Sequence, residues 1–378
     1  MALAERLPRY ATIERLRGRP LIVYVTSTRP GATALMAADV IPELADHLTE
    51  IPADQRAVDL MIVSNGGDPT VAWRIMSMLR ERFSSVGVLV PQAAFSAATL
   101  LALGADEIVM HPHGNLGPVD PQFTVPRPGA AGGAGQPLRF GYEELAGFFE
   151  FAKKEGGITD QEHLRALFAD LSREIGAVGL GMAARGSRLM LTMGEQLLKM
   201  HMKTADEAAR AGEIAERLNK SFAHHGYPLS RTEARDVGLK IADSAPTLEA
   251  EMWAAWLDLE EELAIRRPFN PFVEIAADPV ASQLLKPPPT VQLPPNLPPD
   301  VLQQAINQIL QQIGFINTPP VNFRVIHGVL EGRRHAAHNI TNGRILAVRT
   351  PDNQVNVTTA VLDAGWSRQS LPKPTPTP

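Results

Sequence analysis

The sequence predicts an α/β protein built on a parallel sheet. Short apolar runs rich in valine and isoleucine recur through the first 110 residues. Segments of helical period separate these runs, and glycine or serine turns follow them. Strands that alternate with helices need right-handed βαβ crossovers, which make neighbouring strands parallel. Such sheets bind ligands at the carboxyl ends of their strands.

Four runs read as buried strands: Leu21–Ser27, Ala57–Ser64, Val86–Gln92 and Glu107–Met110. Between the first two, "ADVIPELADHLTEI" sets Val40, Leu44, Leu48 and Ile51 at helical spacing. "PTVAWRIMSMLRERF" follows the second, with proline in its first turn and Val71, Ile75, Met78, Leu79 and Phe83 on one face. The window Gly87–Ala105 carries no charge and approaches the length of a membrane span. Pro91, Gln92, Ser96 and Thr99 interrupt it, and its β-branched half precedes an Ala/Leu-rich half. A buried strand running into a buried helix accounts for that order.

Beyond Gln122 the texture changes. "TVPRPGAAGGAGQP" has the composition of an exposed loop. Helices are predicted over Tyr142–Glu155, over Thr159–Glu174 with Thr159 and Glu162 as its capping box, and from about Gly179 to Met202. Two more capping boxes, Thr204/Glu207 and Ser230/Glu233, open the next helices, and "FAHHGYPLS" lies between them. Residues 1–267 thus form the main domain, and 268–299 a proline-rich linker. Residues 300–370 read as a small α+β interaction module, and 371–378 as a disordered tail. The module begins with a helix bearing Leu302, Ile306, Ile309 and Ile313 on one face, followed by "FRVIHGVLEG", "GRILAVRT" and "VNVTTAVLDAG" as strands.

Composition narrows the chemistry. The 378 residues are 44% hydrophobic and 20% charged, with net charge −5 and basic residues spread along the chain. That distribution offers no footprint for nucleic acid. Zero cysteines exclude disulfides, thiolate metal sites and cysteine nucleophiles. The charged N-terminus lacks the long apolar segment of a signal peptide, so a cytoplasmic protein without an integral membrane segment is expected.

Two turns carry the chemical signal. "SNGGD", Ser64–Asp68, sets two glycines between a strand and a helix, where backbone N–H groups can face a ligand without Cβ obstruction. Such groups suit an oxyanion, a phosphate, or nothing more than a tight turn. Ser96, in A-F-S-A-A, sits at the next strand-to-helix turn, as a nucleophile or as a small capping residue. Together the turns put backbone donors beside a hydroxyl at adjacent strand ends. A serine hydroxyl needs a base. His111, His113, His224, His225, Lys153 and Lys154 are the candidates, with Asp120 or Asp106 to orient a histidine. His335-x-x-His338 has metal-like spacing but no third ligand in view.

"SNGGDPTVAWRIMSMLRE", "AAFSAATLLALGADEIVMHPHGNLGPVDPQ" and "HHGYPLSRTEARDVGL" together resemble the serine dehydrogenase proteinase family, over roughly residues 20–245. These are relatives of the Clp protease proteolytic subunit and of signal peptide peptidase A in the crotonase-like superfamily. The resemblance implies a spiral of βαβ units with a helical extension, a homo-oligomer, and serine peptidase activity without a cofactor; no metal is expected. No segment resembles an ATPase module, so either peptides or unfolded proteins enter unaided, in an ATP-independent reaction, or a separate unfoldase feeds the site. It also implies roles: Ser96 as nucleophile, Asp120 as orienting acid, His225 as base, and Gly66, Gly67 and the Ala97 N–H as the oxyanion hole. His113 competes as base, because Clp relatives take theirs after the fourth strand; lysine-using relatives keep Lys153 and Lys154 in view. Two alternatives stand beside this reading. One is a crotonase-like acyl-CoA enzyme, whose backbone donors hold an enolate without a serine. The other is an inactive oligomeric scaffold that binds a protein partner through its C-terminal module.

Overall fold

The computed structural model describes residues 3–126, 135–220, 222, 224–286, 296, 298–313, 316–350 and 354–371. The core of the proline-rich linker, much of the glycine-rich loop after Val125 and nearly all of the expected tail lie outside them, as do the side chains of Ile309 and Ile313.

The chain opens with helix α1 (Leu3–Arg17), then β1 (Leu21–Thr26), α2 (Val40–Thr49), β2 (Ala57–Val63), α3 (Pro69–Arg82) and β3 (Ser85–Val90). A two-residue strand β4 (Ala93–Ala94) leads into α4 (Ala97–Leu103) and β5 (Glu107–Met110). Strands β1, β2, β3 and β5 pair in parallel, in that order. The window Gly87–Ala105 is therefore strand, turn and buried helix. Among the described residues no helix is long and apolar enough to cross a membrane.

Side chains alternate across this sheet and build two cores. Ile22, Tyr24, Leu60, Ile62, Val88 and Val90 face α2, α3 and α4. Leu21, Val23, Val25, Met61, Val63 and Leu89 face the other way, against Tyr10 and Ile13 of α1. Both faces are covered, which is why these strands read as unbroken apolar runs.

After β6 (Asn115–Leu116), a hairpin forms from β7 (Gln122–Val125) and β8 (Leu138–Gly141). Helices α5 (Tyr142–Lys154), α6 (Gln161–Ile175), α7 (Ala177–Leu198) and α8 (Ala205–Lys220) follow. The cap of α6 is Asp160, whose carboxylate accepts the His163 N–H, rather than the expected Thr159. The other two boxes form as expected: Thr204 with Glu207, and Ser230 with Glu233 at the start of α9 (Arg231–Val237).

Helix α10 (Pro246–Glu262) packs beside α1 on the second core through Leu248, Met252, Trp256 and Leu259. Then come α11 (Pro271–Ala277), α12 (Pro299–Ile313), β9 (Ile316–Asn317), β10 (Val321–Glu331), β11 (Ala336–Arg349) and β12 (Val355–Arg368). Strand β10 pairs antiparallel with β1, and the sheet runs β12-β11-β10-β1-β2-β3-β5, with β9 beside β11. Residues expected to form a separate module instead extend the main sheet. Ile326, Val329 and Ile340 enter the core shared with α1 and α10. Pairing across three hundred residues leaves no local trace in a sequence, whereas a proline-rich stretch does.

Candidate functional site

The turn after β2 is wired into place by hydroxyls. Thr26 Oγ1 donates to Ser64 Oγ at 2.8 Å, and Ser64 Oγ accepts the Gly66 N–H at 3.1 Å. Gly66 (φ 93°) and Gly67 (φ 150°) lie where L side chains are strained. A Cβ on Gly66 would stand 2.6 Å from the Phe95 carbonyl oxygen and 2.8 Å from the Ala97 nitrogen. On Gly67 it would meet the Met36 backbone at 2.3 Å. Gly66 therefore lets the first turn press directly against the second, and Gly67 lets it press against the segment that precedes α2.

The second turn carries Ser96 at φ 52°, ψ −118°, one of three non-glycine residues with positive φ among those described. Strand β4 holds this turn: the Ser64 N–H donates to Ala93 and the Phe95 N–H to Ser64. Ser96 begins α4 without using its hydroxyl as a cap. A serine kept in a costly conformation with an unengaged side chain is the pattern of a strained strand-to-helix elbow. The Gly66 N–H is spent on Ser64, so Gly66 contributes close approach rather than a donor. The Gly67 and Ala97 N–H groups have no protein acceptor among the described residues; Ala97 follows Ser96 directly, and Gly67 lines the same cavity as Ser96. Two free N–H groups there can hold a developing oxyanion.

Asp120 and His225 meet across 105 residues, with His225 Nδ1 and Asp120 Oδ1 2.8 Å apart. A carboxylate only accepts, so Nδ1 carries the proton; in the neutral imidazole that leaves the lone pair on Nε2. The backbone makes the meeting: Leu116 and Leu229 exchange hydrogen bonds at 3.0 and 2.8 Å, and the Val119 N–H donates to Leu218 in α8. Burial pushes the Asp120 carboxyl up, but the His225 hydrogen bond and charge and the Gln122 amide outweigh it and hold it below the ordinary carboxylate range. Gln122 Nε2 donates to Asp120 Oδ2 at 2.8 Å. Asp120 is therefore a fixed negative charge behind the imidazole.

Ser96, Gly67 and His225 line one cavity of about 400 Å³. Its walls are mostly apolar, from Leu35, Phe123, Leu189 and Met190, with Arg139 at its edge. Ser96 Oγ makes no hydrogen bond to His225 here; in ligand-free sites such bonds are often open and tighten around substrate.

The other candidates are engaged elsewhere. His111 stacks on Trp253 of α10 with ring centroids 4.9 Å apart, and His113 meets the same indole at 5.1 Å. Trp253 belongs to the second core, so His113 lies apart from the Ser96 cavity. Asp106 pairs with Arg80 at 2.8 Å. His224 Nδ1 accepts the Gly226 N–H. Lys153 and Lys154 are exposed on α5, the latter near Glu150. His335 and His338 diverge: His335 meets His47 with the two rings tilted, while His338 hydrogen-bonds Glu331. Sequence reasoning missed Arg139 and the α7 wall, since only the folded hairpin and helix bring them to the cavity.

Part of the chain is similar to a described protein family. Residues 40–131 match the family described as ClpP-like SDH-type serine proteinase. That segment contains Gly66, Gly67, Ser96 and Asp120; His225 lies outside it. Two uncharacterized proteins of Methanocaldococcus jannaschii are similar over longer stretches. One is 25% identical over 251 residues, covering 65% of this chain and 74% of its own. The other is 24% identical over 205 residues, covering 54% and 59%. Among solved structures, a membrane-bound stomatin-specific protease aligns over 61% of this chain and 84% of its own, with 16% identity and a TM-score of 0.34. A probable enoyl-CoA hydratase/isomerase from Mycobacterium abscessus aligns over 79% and 89%, with 17% identity and a TM-score of 0.26. Likenesses that slight carry no argument.

Proposed function

We propose that the protein is a serine peptidase acting through an acyl-enzyme on Ser96, and that it needs no nucleotide for the chemical step. The observation that carries this reading is the Asp120–His225 hydrogen bond, 2.8 Å long, beside a cavity shared with a strained Ser96. The match of residues 40–131 to a serine proteinase family supports it.

In this mechanism His225 Nε2 takes the Ser96 Oγ proton as the oxygen attacks the scissile carbonyl. The Gly67 and Ala97 N–H groups stabilise the resulting oxyanion. Collapse breaks the C–N bond, and His225 returns the proton to the leaving amine. Water then repeats the sequence against the ester, with His225 again as base, and releases the acid. Asp120 holds the imidazole in its Nδ1–H tautomer and stabilises the imidazolium in each half-reaction. An acyl-CoA enzyme or a scaffold would leave the cavity-facing side of His225 without a task.

Rapid mixing with p-nitrophenyl acetate tests the acyl-enzyme. A burst of one p-nitrophenol per active chain, absent in Ser96→Ala, is expected. Steady release without a burst, equal in both proteins, would refute the covalent step. The cytoplasmic location, the oligomer and a protein partner for residues 300–370 belong to the same proposal, and size-exclusion chromatography with light scattering checks the second.

A further inference from the structure

One charge at the cavity has no role in the chemistry just described. Arg139 lies on β8, where it pairs in register with Thr124 of β7. Its neighbours Leu138 and Phe140 pack with Phe123, Val125 and Ile175 in a small core of their own. Side chains alternate along a strand, so Arg139 stays out of that core, and it lines the cavity together with Phe123 of the paired strand. It is exposed and makes no hydrogen bond or ion pair among the described residues. Arginines elsewhere near the sheet are engaged: Arg17 with Asp59, Arg80 with Asp106, Arg231 with Glu249. Among the described residues no aspartate or glutamate lines the cavity, and Asp120 behind it is already matched by His225 and Gln122.

An unpaired guanidinium at the rim of a mostly apolar cleft is a recognition element for a planar anion. Its fork of N–H donors fits a carboxylate in bidentate fashion, which a hydrated ammonium does not reproduce. We infer that Arg139 is a specificity-determining residue that binds a carboxylate of the peptide substrate near the bond cut at Ser96. This rests on the peptidase reading and deepens it. The apolar walls take the neighbouring side chains, and Arg139 sets which peptides enter well. The carboxylate has two sources: the free C-terminus of a peptide, or an internal aspartate or glutamate.

Three fluorogenic peptides of one parent sequence separate these sources: a free C-terminal acid, its amide, and the amide with one internal glutamine changed to glutamate. kcat/KM is measured for each with the wild-type protein, Arg139→Ala and Arg139→Lys. The wild type is expected to favour one carboxylate peptide over the neutral amide by about tenfold or more, as a charge-assisted contact implies. Preference for the free acid identifies a C-terminal reader; preference for the glutamate peptide identifies an acidic-residue reader. In Arg139→Ala the ratio falls toward one, and in Arg139→Lys it recovers only in part. At 0.5 M salt the wild-type ratio shrinks, since the contact is at an exposed rim. Equal rates for all three peptides in the wild type, or an unchanged ratio in Arg139→Ala, would overturn the inference. Fluorophosphonate labelling of Ser96, run on the same samples, separates the two readings. Labelling and hydrolysis without a carboxylate preference reject the Arg139 role alone. Absence of both rejects the peptidase reading and this inference with it.

Discussion

Two of the carboxylate–histidine pairs among the described residues, Glu331–His338 and Asp120–His225, have opposite fates. At the antiparallel side of the sheet, Glu331 on β10 accepts from His338 at 2.6 Å, from Arg6 at 2.6 Å and from Tyr10 at 2.7 Å. At the parallel side, the side chains that donate to Asp120 among the described residues are those of His225 and Gln122. Burial pushes Glu331 up, but its donors win and bring it to about 2. Asp120 is held low by the same balance of causes. The difference lies in the far side of the imidazole. His338 is buried, and its Nδ1 has no hydrogen-bond partner among the described residues. His225 opens onto the cavity that contains Ser96. A carboxylate–histidine hydrogen bond is therefore no signature of catalysis; an accessible second nitrogen beside a nucleophile is.

The largest effect that can break this comparison is on rate. Asp120→Asn or His225→Ala should cost roughly 10³- to 10⁴-fold in kcat/KM, and Ser96→Ala more. Combining Ser96→Ala with His225→Ala should cost little beyond the first change, because the residues act as a unit. Additive losses would mean they do not. Glu331→Gln should leave the rate per folded molecule near wild type, as measured by active-site titration.

The reciprocal effect is on stability. Glu331→Gln removes the closest anion from Arg6, whose side chain is fully buried, and should cost about 3–5 kcal/mol in urea denaturation. Asp120→Asn should cost much less. Equal destabilisation by both would erase the distinction between a structural and a functional pair.

A pH titration of stability sharpens the contrast. The folded Glu331 carboxyl lies below its unfolded value near 4.3, so its contribution is complete above that value. It should vanish as pH falls toward about 2, a loss of roughly 3 kcal/mol. His47 acts earlier. Burial, with repulsion from His335 and Arg334, lowers it to about 3. The unfolded imidazole then takes up a proton first, and stability declines from pH 6.5 downward, by roughly 2 kcal/mol at pH 5. His47→Gln should flatten the upper part of this curve while leaving the Glu331 part. An unchanged upper limb would count against the buried, uncharged imidazole.

The smallest effect is at the elbow itself. Ser96→Gly should stabilise the protein by about 1 kcal/mol, because glycine accepts positive φ without a Cβ clash. A loss of stability would show that the turn stores no strain.

Much of the parallel half was legible because its signals are local. The four buried strands and the helices between them appear within one residue to two of their expected limits, since unbroken Val/Ile runs mark strands covered on both faces. Ser96 and the glycine turn could be proposed from strand-to-helix punctuation. The choice between His113 and His225 could not be made from spacing. It depends on Trp253 of α10 claiming His113, and on the Leu116–Leu229 hydrogen bonds drawing His225 to Asp120. Helices α1 and α10 went unread: α1 is strongly charged, yet its Arg6 is buried beside Glu331. The antiparallel extension was misread as a module because its partner strand, β1, lies at the other end of the chain.

The central claim is that Ser96 is a nucleophile activated by His225 and not by His113. Fluorophosphonate labelling, with the modified residue mapped by mass spectrometry, tests it most directly. The account predicts a single adduct on Ser96 that is lost in His225→Ala and retained in His113→Ala. Labelling that survives in His225→Ala but disappears in folded His113→Ala, or no adduct on Ser96 at all, would contradict it.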